Sequence, residues 1–284
     1  METRVKKLAK RMVEPFRPRL RPSFLIVGAQ KAGTSALFEM LARHPKLLAP
    51  EVKELDFFSR DENHDRGIGH YLDQFPLRPW DDRGQRTFEA SPSYLDSPEA
   101  PARIKAAFPD MRIIIILRDP VKRAFSAWNM YRQFEHHPKY AHRYDPRDLV
   151  TAIEENMRGG PGSGPVDDYL ERGIYAPRVQ RYFDVFGRDK VLVIPYPRYR
   201  SEPQQVLDEV CDHVGLERMP AEREAARSSA NKRPYESPMP EALKERLYRY
   251  FAPAMHDLRR LVGPAADICE EKEYRPLWSE DNGR

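Results

Sequence analysis

Positions 28 to 35 read Gly-Ala-Gln-Lys-Ala-Gly-Thr-Ser, two glycines with four residues and one lysine between them. A short apolar run, Phe24–Val27, precedes this segment, and apolar residues at helical spacing follow it over 36–42. Strand, glycine loop and helix in that order gather backbone N–H groups at a helix N-terminus, which favours a bound phosphate or sulfate. The glycine spacing is that of G-x-x-x-x-G-K-[ST], but Thr34 stands where that pattern has its lysine, and the cation is Lys31 inside the loop. That shift disfavours a kinase using a nucleoside triphosphate. Glycines also make tight turns, so the loop alone is compatible with a purely structural role.

A second cationic position strengthens the ligand reading. Arg118 ends the apolar run Met111–Leu117, and Ser126 follows eight residues later within an expected helix. Ligands collect at the carboxyl ends of strands in open α/β sheets, where an arginine can grip an anion bidentately and a hydroxyl adds a donor. A strand-end ion pair with Asp119 or Glu89 is the simpler alternative for Arg118 alone. Taken together, the two positions suggest one ligand with two separated anionic groups. His136, His137 and His142 have no metal-ligand spacing and read as solvated, while Trp128 and Tyr131 read as packing residues.

These residues need a frame. The runs 24–27, 111–118 and 191–194 predict strands buried on both faces, because their apolar residues are continuous rather than alternating. Asp119 followed by Pro120 predicts an N-cap and first turn for a helix over Val121–Phe134. Helical patterns occupy 67–75, 99–108, 147–157, 176–186, 203–214 and 240–261. The alternation implies one α/β domain: a central, mostly parallel sheet, helices on both faces and a P-loop-like anion loop. Residues 1–22 read as a basic surface arm without the apolar segment of a secretory signal, 23–263 as the domain and 264–284 as a tail. The Gly/Pro stretch 158–165 reads as a linker or a lid.

Composition narrows the class. Forty-eight Lys and Arg against 44 Asp and Glu leave +4, too mild an excess to imply a nucleic-acid partner. Two cysteines, Cys211 and Cys269, exclude a disulfide framework and a cysteine-rich metal site. No stretch approaches the roughly 20 apolar residues of a membrane span.

The motifs resemble a known family. Gln30-Lys31-Ala32-Gly33-Thr34-Ser35 is similar to the phosphosulfate loop of sulfotransferases that use 3′-phosphoadenylyl sulfate (PAPS), and Leu117–Ser126 resembles their 3′-phosphate motif. Lys53-Glu54-Leu55-Asp56-Phe57-Phe58 and Phe88–Tyr94 resemble segments of the heparan sulfate N- and 3-O-sulfotransferase branch. The resemblance covers about residues 22–263 and implies a sulfuryl transfer without a metal. It gives Lys31 the leaving-group oxygens, places the 5′-phosphate on the loop from Gln30 and Ala32 through Gly33, Thr34 and Ser35, and assigns the 3′-phosphate to Arg118 and Ser126. Glu54 falls at the branch's catalytic base. Lys53, Asp56, Ser91, Ser93 and Tyr175 become acceptor-side candidates, and the acceptor is expected to be a carbohydrate or glycosylated small molecule.

Departures qualify it. Ala90 stands where the branch carries a lysine, the late cofactor loop reads Asn231-Lys232-Arg233-Pro234-Tyr235, and the branch's disulfide has no cysteine pair here. Lys232, Arg233 and Tyr235 are still expected to close on the cofactor. The missing disulfide, with the absent signal, implies a reducing, cytoplasmic compartment. Two other readings stay open at this level, a nucleotide- or glycan-binding module without catalysis and a P-loop small-molecule kinase. Acceptor identity, O- against N-sulfation and oligomeric state are not encoded in these motifs.

Overall fold

Four runs of consecutive shielded residues build the sheet: β1 (Pro22–Gly28), β2 (Thr87–Ala90), β3 (Arg112–Leu117) and β4 (Val191–Pro195). The structure is a computed structural model and describes residues 17–81, 83–159, 168–220, 235 and 237–279. Successive strand side chains face opposite ways, and both neighbours in each of Phe24–Val27 and Ile113–Leu117 are fully buried. Both faces of the sheet are therefore covered. The spatial order is β2-β1-β3-β4, every neighbouring pair parallel. β2 is the strand that the apolar-run criterion does not reveal, being four residues long with Glu89 in it.

The helices that cover the sheet are α1 (Thr34–Leu41), α2 (Gly67–Leu72), α3 (Ala100–Ala107), α4 (Pro120–Arg132), α5 (Leu149–Gly159), α6 (Ala176–Phe186), α7 (Tyr196–Ser201), α8 (Pro203–Val214) and α9 (Glu241–Val262). Asp119 caps α4 as the sequence predicts, accepting from the backbone N–H groups of Val121 at 2.9 Å and Lys122 at 3.1 Å. α4 stops at Arg132, two residues before the expected Phe134. α5 takes in Arg158 and Gly159, which the Gly/Pro stretch was expected to exclude; 160–167 lie outside the described residues. So do residues 1–16 of the basic arm, while Leu20 and Arg78 tie residues 18–20 to 76–78 by backbone hydrogen bonds. No described helix is long and apolar enough to cross a membrane.

Residues 264–279, expected as a tail, pack on the domain. Ile268, Cys269 and Trp278 are buried, and the Trp278 indole donates to the carbonyl of Tyr248 in α9 at 3.0 Å.

The sheet order fixes where a site can form. The chain leaves β1 toward β2 on one side and reaches β3 on the other, so the loops after β1 and β3 diverge and open a crevice between them. Gly28 ends β1, where a Cβ would come within 2.5 Å of the Leu95 Cβ. Gly28→Ala is expected to cost about 1–3 kcal/mol, the usual range for overpacking a tight core, read as a lowered midpoint in denaturant unfolding.

Candidate active site

The crevice carries a cleft of about 1360 Å³. Its floor is the loop into α1. Lys31 and Gly33 both take left-handed backbone conformations, at φ 67° and 98°, and these turn the chain sharply into the helix. A Cβ on Gly33 would lie 2.8 Å from the Tyr196 ring, so glycine satisfies both the torsion and the close approach. The first-turn N–H groups of α1 have no partners within the helix. No acidic side chain stands in that turn, so the end stays attractive to an anion.

Arg118 leaves β3 on the other side. Its Nη1 donates to the Lys31 carbonyl at 3.0 Å and its Nε to Glu270 at 3.0 Å, and its guanidinium lies 5.1 Å from the Tyr196 ring centroid. The expected ion pairs with Asp119 or Glu89 are not made; the partner comes from the C-terminal segment instead. Glu270 also faces Arg200 at 3.7 Å, and its backbone N–H donates to Asp119 at 3.1 Å. Ser126 lines the same cleft from α4.

Glu54 enters from a third direction. Half of its side chain is exposed, and the backbone around it is unusual, with Glu54 at φ 62° and Asp56 at φ 51°. Four bonds to the end of β2 and the segment after it hold this loop: Glu54 N–H to the Ala90 carbonyl at 3.2 Å, Asp56 N–H to Ser91 Oγ at 3.1 Å, Phe57 N–H to the Tyr94 hydroxyl at 3.1 Å and Ser93 Oγ to Asp56 Oδ1 at 2.5 Å. Lys53 spans to the anion loop, donating to Ser35 Oγ and lying 3.2 Å from Glu54 Oε1.

The cleft thus brings together Lys31, Gly33, Thr34 and Ser35 with Arg118, Ser126 and Glu54. Gln30 also lines it, its amide donating to the Tyr131 hydroxyl at 3.3 Å. Asp56, Ser93 and Tyr235 stand on its wall, the Tyr235 ring 4.8 Å from Phe125. Four expected residues do not line it, Lys53 among them, its ammonium engaged by Ser35 and Glu54. Ala32 is buried and its N–H is spent on the Ala29 carbonyl at 3.1 Å. Ser91 is buried against Glu89. Tyr175 is buried with its hydroxyl on the Arg118 carbonyl at 2.8 Å, so it supports that strand end rather than meeting an acceptor. Lys232 and Arg233 lie outside the described residues.

Other cleft residues carry no motif and are missed by sequence reasoning. Arg60, Arg143, Arg172 and Arg200 line it, with His137 and Tyr140. Arg143 donates to the Tyr131 hydroxyl at 2.7 Å, giving a packing residue a polar function as well. Arg172 is held by Asp168 at 2.5 Å. These side chains arrive from helices and loops far apart in the chain, so no local spacing marks them. Six cations against Glu54 and Asp56 make the cleft strongly anion-attracting.

Comparison with known proteins decides the family. Residues 21–234 match the sulfotransferase domain. The chain belongs to the sulfotransferase family. Its sequence is 35% identical over 205 residues to human bifunctional heparan sulfate N-deacetylase/N-sulfotransferase 3, covering 69% of this chain and 22% of that protein. Against human heparan sulfate glucosamine 3-O-sulfotransferase 3B1 it is 33% identical over 201 residues, covering 70% of this chain and 47% of the relative. The match thus spans about a fifth to a half of these relatives. A sulfotransferase structure from Alicyclobacillus acidocaldarius superposes with a TM-score of 0.69 at 31% identity, covering 90% of this chain and 99% of that one. Mouse SULT7A1 complexed with PAP shares the fold, with a TM-score of 0.52 at 15% identity over 91% and 88% of the two chains. The kinase reading is thereby set aside.

Behind this cleft lies an acid to which the motifs assign no role. Glu89 is fully buried, and burial pushes its carboxyl up to about 7 although Ser91, Tyr71 and Tyr94 hydrogen-bond to it. An acid raised in the folded state keeps its proton to higher pH than the unfolded chain does. Stability therefore falls as pH rises from about 4.5 to about 7 and levels beyond. The full change is on the order of 3 kcal/mol. Unfolding free energies of wild type and Glu89→Gln, measured across pH 5 to 8, are expected to diverge over that window, with the slope absent in the variant.

Proposed function

We propose that this domain transfers a sulfuryl group from PAPS to a hydroxyl or amine of a carbohydrate or glycosylated acceptor. One observation carries the reading: the anion loop with Lys31, the Arg118–Ser126 pair and the Glu54 carboxylate all face a single cleft. The donor set fits a nucleotide with two separated anionic groups. A helix N-terminus and a lysine serve one group, an arginine and a hydroxyl the other.

PAPS, when bound, supplies the sulfuryl group and a phosphate leaving group. Lys31 and the first turn of α1 hold positive potential where leaving-group charge grows, the electrostatic term that commonly dominates such reactions. Arg118 and Ser126 orient the nucleotide by its 3′-phosphate. Its guanidinium is steadied by Glu270 and by the Lys31 carbonyl, so little side-chain freedom is left to lose on binding. Glu54 takes the proton of the attacking hydroxyl or amine, as general base catalysis requires. Lys53 ties the Glu54 loop to Ser35, fixing the distance between base and anion loop. Arg60, Arg143 and Arg172, which also line the cleft, suit an acceptor carrying negative charge. The glycan assignment rests on what the relatives are named for, which is an analogy of fold and motif. A cytoplasmic setting belongs to the same proposal and is supported by Cys211 and Cys269, both buried free thiols.

The test is transfer of labelled sulfate from PAPS to heparan sulfate, intact and stripped of its N-sulfates, and to a panel of glycosides. Glu54→Gln is expected to lower kcat by about 10²- to 10⁴-fold, with the affinity for adenosine 3′,5′-bisphosphate retained. Equal turnover of the two enzymes on a true acceptor would remove the base assignment. Tight nucleotide binding without turnover on any acceptor would instead favour the binding module. For the cofactor anchor, Arg118→Ala is expected to weaken adenosine 3′,5′-bisphosphate about 10- to 100-fold, the value of a hydrogen bond to a charged group. Calorimetry should show adenosine 5′-phosphosulfate, which lacks the 3′-phosphate, nearly unchanged.

A further inference from the structure

We propose that Glu89, buried and out of reach of any substrate, is a positioning residue that holds the Glu54 base in place through the hydroxyls of Ser91 and Tyr94. The inference rests on the reading of Glu54 as base.

Glu89 accepts from three hydroxyls: Tyr71 at 2.7 Å, Tyr94 at 3.0 and 3.1 Å, and Ser91. Among the described residues no lysine, arginine or histidine pairs with it. Burying a carboxylate without a cation costs stability that an apolar side chain of similar volume would not. Core packing therefore gives no reason for a glutamate here.

The hydroxyls give one. A hydroxyl has a single proton, and above about pH 7, where Glu89 is ionised, its carboxylate can only accept. Ser91 and Tyr94 both turn their protons inward to Glu89, which leaves their lone pairs outward. Those lone pairs receive two successive backbone donors, Asp56 N–H and Phe57 N–H, each at 3.1 Å. A donating group at position 89 would compete for those lone pairs and leave a hydroxyl proton without an acceptor. The rotation open to that proton points it at the backbone N–H groups.

The loop so held needs holding. Left-handed backbone at the non-glycine residues Glu54 and Asp56 is strained, and such conformations persist only where the surroundings over-determine them. Released, the loop relaxes and carries the Glu54 carboxylate away from the cleft. The Tyr71 hydroxyl is the internal control: it donates to Glu89 and bonds nothing in the loop among the described residues, while its ring, which packs on Phe57 and Phe58, is kept in Tyr71→Phe.

The experiment compares Glu89→Gln, Ser91→Ala and Tyr71→Phe by three readouts. These are kcat for labelled sulfate transfer to the glycan that wild type turns over, the Kd of adenosine 3′,5′-bisphosphate, and amide hydrogen exchange in peptides spanning 53–58. Glu89→Gln and Ser91→Ala are expected to lose at least tenfold in kcat while nucleotide Kd stays within twofold. Exchange at 54–57 should rise in both and not in Tyr71→Phe. The double variant Glu54→Gln/Glu89→Gln should be no slower than Glu54→Gln alone, since two residues acting through one group are not additive. Wild-type kcat and exchange in Ser91→Ala and Glu89→Gln would overturn the proposal. So would losses that multiply in the double variant, or nucleotide affinity that falls in step with kcat. Should Glu89→Gln not fold, Ser91→Ala decides by the same readouts. If Glu54→Gln itself keeps wild-type kcat, the base reading fails, and the exchange data alone decide whether Glu89 holds the loop.

Discussion

A single tie across the β1–β3 crevice organises the site: the hydrogen bond from the Arg118 guanidinium to the Lys31 carbonyl. Parallel pairing of these strands brings the loops that follow them side by side, and the tie fixes one cation against the other's backbone. Lys31 is thereby held in a left-handed turn whose N–H groups lead into α1. Arg118 is held in turn from behind, its carbonyl by Tyr175 and its Nε by Glu270. The Arg118 guanidinium and the Lys31 backbone are in place before a ligand arrives.

Other parts of the site are built on the opposite economy. Around Arg118 the fold gains from each contact, whereas at Lys31, as at Glu54 and Asp56, it accepts left-handed non-glycine backbone. At Glu89 it buries an acid among hydroxyls, with no described cation to pair it. Such local departures from what folding alone would select are expected where geometry serves chemistry.

Reading the chain by period and composition recovers β1, β3, β4 and the long helices, because their signals are local: continuous apolar runs for buried strands, and a capping Asp119 before Pro120 for α4. The anion loop is legible for the same reason, since its glycines and lysine lie within eight residues. β2 is not, being short and half polar, and its role is set by neighbours rather than by its own pattern. The cleft arginines are invisible because they come from distant elements. Ser91 and Tyr175 were placed beside the right residues but on the wrong side of them: each backs a functional group and is walled off from the cleft. Proximity in sequence to a motif carries no information about which face a side chain takes when the backbone turns as sharply as it does at 54–56.

The C-terminal segment changes what counts as one folding unit. A boundary after α9 looks natural from hydrophobic pattern alone, yet Glu270 is the counter-ion of Arg118 and lends its backbone N–H to the cap of α4, while Trp278 covers Tyr248. Ending the chain at 263 would leave a shielded arginine without its Glu270 counter-ion in the crevice and open the side of α9 to water. The fold and its cleft therefore share a C-terminal brace that runs through Trp278.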